Sequence, residues 1–186
     1  MWRPQNYNVR RLETFMAAFS DHPETLDRVD WHLLQNGPVN LYWRLEYLRE
    51  DAEWLEKHGY IVHHFDVAEW NDSARMHEEL KSKLDFPDYY GKNLNALNDC
   101  LSDIDIPDYA GVALAFTHFD SLVAAQPNVA AALLDILADN SRRAMLFGKR
   151  LIVLAQTDSP DFRTELLGTM TGNWNRREWL DSNRKP

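Results

Sequence analysis

Cysteine is nearly absent: Cys100 stands alone among 186 residues, so no internal disulfide can form. Long apolar runs are missing too. The longest, such as residues 129–134, fall far short of a membrane span. The opening residues, Met1, Trp2, Arg3, Pro4 and Gln5, contain no apolar signal region. These three absences agree with a reducing cytoplasm and with no membrane partner. Positive charge is in short supply: 20 Lys and Arg face 29 Asp and Glu, for a formal charge of −9. A negative domain repels phosphate backbones, which disfavours direct nucleic-acid binding. The same charge steers the chain toward a basic protein, and enzymes that bind RNA are commonly basic. Taken alone, however, mild acidity need do no more than keep a protein in solution.

Catalytic signatures are missing as well. There is no GxGxxG, no P-loop, no CxxC and no HExxH, so neither a cofactor nor a metal is expected. Seven histidines are present, but His63 and His64 are neighbours on an expected strand and face opposite sides. His77 lies beside apolar positions, as a packed histidine with a satisfied hydrogen bond would. The residues therefore point away from an enzyme.

What the chain does contain is a well-filled core. Hydrophobic residues make up 45% and aromatics 12%, which argues for one folded unit without long disordered tracts. A short helical stretch is expected near residues 12–19. Residues 31–34 and 39–43 flank Gln35, Asn36, Gly37 and Pro38, and an Asn-Gly pair between such segments predicts a β-hairpin. Leu48, Ala52 and Leu55 recur at helical spacing over 46–58, and Gly59 is placed to end that helix. Trp43, Leu48, Leu55 and Tyr60 read as core. Residues 60–65 follow as a strand, and a strand–helix–strand order implies parallel pairing.

Asn71, Asp72 and Ser73 are candidate caps for a helix reaching Leu84, with Met76, His77, Leu80 and Leu84 on one side. A second helix from about Asn93 to Ser102 buries Leu94, Leu97 and Leu101. Residues 111–116 and 151–154 are short, apolar and bounded by turn residues, as strands covered on both faces are. Between them, Asn128 is placed to cap a long helix through about Phe147. The pattern is α/β: a parallel sheet packed by helices. Trp174, Trp179 and Leu180 suggest that the end of the chain docks on the rest.

One run carries more than fold. Residues 86–101 read FPDYYGKNLNALNDCL, which resembles the signature of the barstar family, LPEYYGENLDALWDCL, without a gap and with most positions identical. The register extends back through His77, Leu80 and Leu84 to the strand ending at Phe65 and Asp66. It runs forward to Phe116, Phe119 and residues 151–154. The resemblance implies a barstar-like domain over 60–156. Residues 1–59 would then be an N-terminal extension, hairpin plus helix, packed on that core, and 157–186 a C-terminal tail.

The resemblance also implies a function: an intracellular, immunity-type inhibitor that blocks the active site of a ribonuclease. A carboxylate set where an RNA phosphate would sit meets the cations that bind phosphate. The implied contact residues are Asp99, Asn95 and Asn98 on the helix, Tyr89 and Gly91 in the loop before it, and an acid near the end of a later helix. Asp139 is the candidate for that acid. Each has a plainer alternative: a lone exposed Asp is usually just a solvated face, and Gly91 could simply serve a turn. Asn93 reads as a helix cap, Tyr90 as core, and Cys100 as a small buried apolar residue. Two departures bear on the target. Asn95 stands where the family has Asp, and Asn98 where it has Trp, so one charge and one aromatic anchor are lost. The alternative reading is a scaffold that keeps the fold and binds a partner other than a ribonuclease.

Overall fold

A computed structural model describes residues 18–70, 72–107, 109–164, 167 and 171–185. The helical stretch expected at 12–19 lies mostly outside these residues. After a 3-10 turn at Pro23–Asp27 come α1 (Val29–Leu34), β1 (Val39–Tyr42), α2 (Leu45–Lys57) and β2 (Ile61–Asp66). Then follow α3 (Ser73–Lys83), α4 (Leu94–Ser102), β3 (Val112–Thr117), α5 (Phe119–Ala125), α6 (Pro127–Leu146), β4 (Leu151–Gln156) and β5 (Asn173–Trp174). The five strands form one sheet in the order β2-β3-β4-β1-β5, and every pair is parallel. This is the expected α/β architecture. No helix of the described residues is long and apolar enough to cross a membrane.

Side-chain alternation along the strands creates two cores. Val112, Leu114 and Phe116 of β3 join Leu151 and Val153 of β4 beneath α3, α4, α5 and α6. Ala113, Ala115, Ile152 and Leu154 face the other way, toward Leu48, Ala52 and Leu55 of α2 and Leu33 and Leu34 of α1. Small alanines on that face let α2 lie close to the sheet. The helix starts follow local chemistry. Asp72 accepts the Arg75 amide at 2.8 Å and Asn93 accepts the Ala96 amide at 3.0 Å, each satisfying a donor that the first turn leaves free.

The structure corrects the hairpin. Residues 29–34 are helical, and Gly37, at φ +125°, turns the chain from α1 into β1. A tertiary contact overrides the local strand signal. Asp30, fully buried, starts α1 and accepts Arg28 Nη2 at 2.7 Å, the Tyr60 hydroxyl at 2.6 Å and Arg150 Nη1 at 3.0 Å. Burial is the largest influence on this carboxyl and opposes its charge. The Arg28 and Tyr60 hydrogen bonds and the Arg28 and Arg150 charges outweigh it and hold the group below the usual carboxylate range. Gly111 permits the approach, since a Cβ there would lie 2.5 Å from both the Arg150 carbonyl and the Tyr60 ring. β1 then finds no antiparallel neighbour and inserts between β4 and β5.

Other expectations shift in detail. The segment before β4 is two helices, α5 and α6, and α6 starts at Pro127 behind Gln126 instead of being capped by Asn128. Proline suits that first position because its missing N–H would have no partner there. Trp43 is only half-buried, under the Arg44 guanidinium, and Leu94 is half-buried as well. The C-terminal residues dock through polar groups, while Trp179 and Leu180 stay exposed. Buried Glu178 accepts the amides of Trp43 at 3.1 Å and Arg44 at 2.9 Å, so it closes the start of α2. Arg177 holds Asp51 at 2.9 Å, and Arg184 stacks over Trp174.

One further tie positions the loop ahead of α4. His77, buried on α3, shares a 2.5 Å hydrogen bond with the hydroxyl of buried Tyr90. Burial, helped by the Lys92 charge, lowers its imidazole from the ordinary value of 6.5, and burial raises the Tyr90 hydroxyl.

Two outcomes follow. Asp30→Asn keeps shape but leaves Arg28 and Arg150 without their anion. It should cost about 3–5 kcal/mol in equilibrium urea unfolding, and a loss within about 1 kcal/mol would show that the clamp is not needed. As for His77, the unfolded chain protonates it more readily than the folded one, so its contribution is intact above about 6.5 and declines as pH falls below that. His77→Gln should therefore remove part of the stability loss seen between about pH 7 and pH 5, leaving the share of His32 and His63, whose imidazoles burial also lowers. Identical pH profiles for the two proteins would rule this out.

Candidate functional site

The loop from Phe86 to Asn93 sorts its aromatics by depth. Phe86 and Tyr90 are buried and pack ring to ring, whereas Tyr89 is 84% exposed. That separation matches the expectation that Tyr89 faces outward and Tyr90 belongs to the core. Two ion pairs fasten the loop to α3, Lys81 to Asp88 at 3.0 Å and Lys92 to Glu78 at 3.2 Å. The left-handed residue of the turn is Lys92, at φ +48°. Gly91 is exposed, and its carbonyl accepts Asn93 Nδ2 at 3.2 Å. A Cβ at Gly91 would sit 3.0 Å from that nitrogen, so glycine keeps the approach to the α4 cap open.

On α4, Leu97 and Leu101 point into the core while Asn95, Asp99 and Ser102 face solvent. Asn98 departs from the expectation that it points outward with them. It is half-buried, and its Oδ1 accepts Asn140 Nδ2 from α6 at 2.9 Å. No local pattern signals this bond, because Asn140 lies 42 residues away on another helix. Cys100 is half-buried and not fully enclosed. Burial pushes its thiol up, and Asp103 and Asp99 add to the effect.

The end of α4 is unusually negative. Its last carbonyls already form the negative pole of the helix dipole, where cations are the stabilising neighbours. No basic residue lies in that last turn, and Asp99 and Asp103 stand there instead. Asp103 stands one turn beyond Asp99, at an i+4 spacing legible in the sequence. The Asp99 carboxylate makes no hydrogen bond or ion pair among the described residues; the contact to Ser102 Oγ, at 2.7 Å, is made by the Asp99 backbone carbonyl. Asp139, exposed on α6, is engaged by Arg142 at 3.4 Å. It lies one residue from Asn140, about 100° around the helix, on a neighbouring face.

These groups do not form a catalytic arrangement. His64 pairs with Glu56 at 3.2 Å on the edge strand, and His77 is enclosed with Tyr90. Among the described residues no group of three or more His, Cys, Asp or Glu is placed to hold a metal ion. The site is a surface: an exposed aromatic in a braced loop, a glycine beside a helix start, and an unpaired carboxylate near that helix's end.

The chain is 64% identical over 43 residues to the Bacillus subtilis (strain 168) protein named "Putative ribonuclease inhibitor YrdF". That match covers 23% of this chain and 47% of the relative, so about half of the relative's length is spanned. The family model described as "Barstar (barnase inhibitor)" matches residues 48–157, from α2 to the end of β4. With more than half of its length matched in this way, the chain belongs to the barstar family.

Proposed function

We propose that this protein inhibits a ribonuclease inside the cell, covering the enzyme's active site with α4 and the loop before it. The observation that carries the reading is the Asp99 carboxylate. It is exposed, unpaired among the described residues, and held at a helix end whose last turn has no basic residue. Such a group gains most from a partner that supplies cations, and the phosphate-binding site of a ribonuclease is lined with them. Asp99 is the principal contact in this reading. Asn95 and Tyr89 flank it, Gly91 allows close backbone approach, and Asp139 stands at the rim. Asn98 acts mainly by holding α4 against α6. The protein itself turns nothing over; it competes with RNA by presenting negative charge on a rigid frame.

The test measures affinity for barnase and for a panel of small basic ribonucleases by calorimetry, together with inhibition of RNA cleavage. Asp99→Asn preserves shape and removes charge, and should weaken binding by about 2–5 kcal/mol, mainly through faster dissociation. The penalty should shrink as salt rises. Asn98→Ala should cost less, about 1 kcal/mol, because it removes only the neutral hydrogen bond that steadies α4, and Asn140 Nδ2 keeps the Ile136 carbonyl as acceptor. Equal affinities for wild type and Asp99→Asn at low and physiological salt would refute charge mimicry.

A further inference from the structure

We infer that the binding face continues past α4 onto the C-terminal end of α6, where Phe147 is an apolar anchor and Arg143 a cation. The inference rests on the reading of α4 as the inhibitory face. It specifies the partner: a ribonuclease whose cationic site is bordered by an apolar recess and a carboxylate.

Helical spacing places Asn140, Arg143, Ala144 and Phe147 on one stripe of α6. The stripe begins at the Asn98–Asn140 hydrogen bond, so it is continuous with the outer side of α4. Between the two helix ends runs a groove of about 230 Å³, with Leu101, Asp103 and Ile106 on one side and Asn140, Arg143 and Phe147 on the other. Buried Leu101 and Ile106 form its floor. The far wall is fixed, since Lys149 Nζ donates to the Ile106 carbonyl at 2.9 Å. Gly148, at φ +73°, ends the helix just beyond Phe147.

Phe147 is 70% exposed, so the fold makes little use of its ring. Arg143 is exposed and has no ion pair among the described residues. The barstar resemblance implied an acid near the end of a later helix. Here the stripe facing α4 carries an amide, a cation and an aromatic, while Asp139 turns aside to Arg142. The signs are therefore divided: Asp103 lines the α4 side of the groove, with Asp99 one turn earlier on the helix, and Arg143 lines the α6 side. An all-cationic partner surface would be repelled at Arg143 and would leave Phe147 in water. A surface with cations at one end, and an apolar recess with a carboxylate at the other, satisfies both.

The experiment measures the affinity of the full chain for barnase and the same ribonuclease panel, using Phe147→Ser, Phe147→Leu, Arg143→Glu and Asp99→Asn. Phe147→Ser should weaken the best-bound ribonuclease about tenfold or more, nearly independent of salt, with unchanged thermal unfolding. Phe147→Leu should recover most of that loss. Arg143→Glu should also weaken binding, and more so at low salt. Affinity within about twofold of wild type for both Phe147→Ser and Arg143→Glu, while Asp99→Asn is impaired, would overturn the extension and leave the inhibitor reading standing. A wild type that binds none of the ribonucleases would overturn both. Self-association that Phe147→Ser abolishes, with ribonuclease affinity unchanged, would assign the ring to contact between copies of the chain and also overturn the inference.

Discussion

A sheet in which every strand runs parallel has two apolar faces, and neither can be left to water. That constraint organises this molecule. The short strands alternate large and small apolar side chains, so β3 and β4 present Leu, Val and Phe to one layer and Ala with Ile and Leu to the other. The larger layer needs four helices to cover it. α4 is one of them, and being short it spends Leu97 and Leu101 on the core, packs Leu94, Ala96 and Cys100 partly against it, and leaves Asn95, Asp99 and Ser102 exposed. The exposed side of α4 is thus a by-product of covering the sheet, and that is where Asp99 stands.

Electrostatics then separates structural charges from available ones. Asp30 and Glu178 are buried and saturated with donors, and they join distant parts of the chain. Asp30 ties α1 to Tyr60 and Arg150, while Glu178 ties the C-terminal residues to the start of α2. Asp99 and Asp103 lie at the wrong end of a helix with no cation in the last turn. The fold gains nothing from them there. In the proposed function that charge is offered to a partner, and the braced loop of Tyr89 and the Asn98–Asn140 bond hold its surroundings in place.

The segments that flank the matched family region use the same physics in a different manner. β1 enters the sheet between β4 and β5, and α1 covers the face shared with α2. The C-terminal residues are fixed by carboxylates, guanidiniums and amides more than by apolar burial, and so Trp179 and Leu180 can remain at the surface. Buried ionic groups of this kind add less net stability than apolar packing of equal volume, but they allow few alternative arrangements.

The sequence by itself determined the α/β class, parallel strands near 60–65, 111–116 and 151–154, and helices α2, α3 and α4, with Asn93 as one cap and Asp72 among three candidates for another. It also separated exposed Tyr89 from buried Tyr90, and residues 86–101 carried the likeness to the barstar family. All of these follow from local information: the period of apolar residues, the hydrogen-bonding habits of cap residues, and the likeness of one ungapped run. Tertiary structure decided the rest. It made residues 29–34 a helix, because a buried Asp30 had to meet neighbouring Arg28 together with Tyr60 and Arg150 from far along the chain. It turned Asn98 toward Asn140 and set Phe147 and Arg143 along the same groove. Each of these depends on which helices lie side by side, and that is fixed only when the two faces of the sheet are covered.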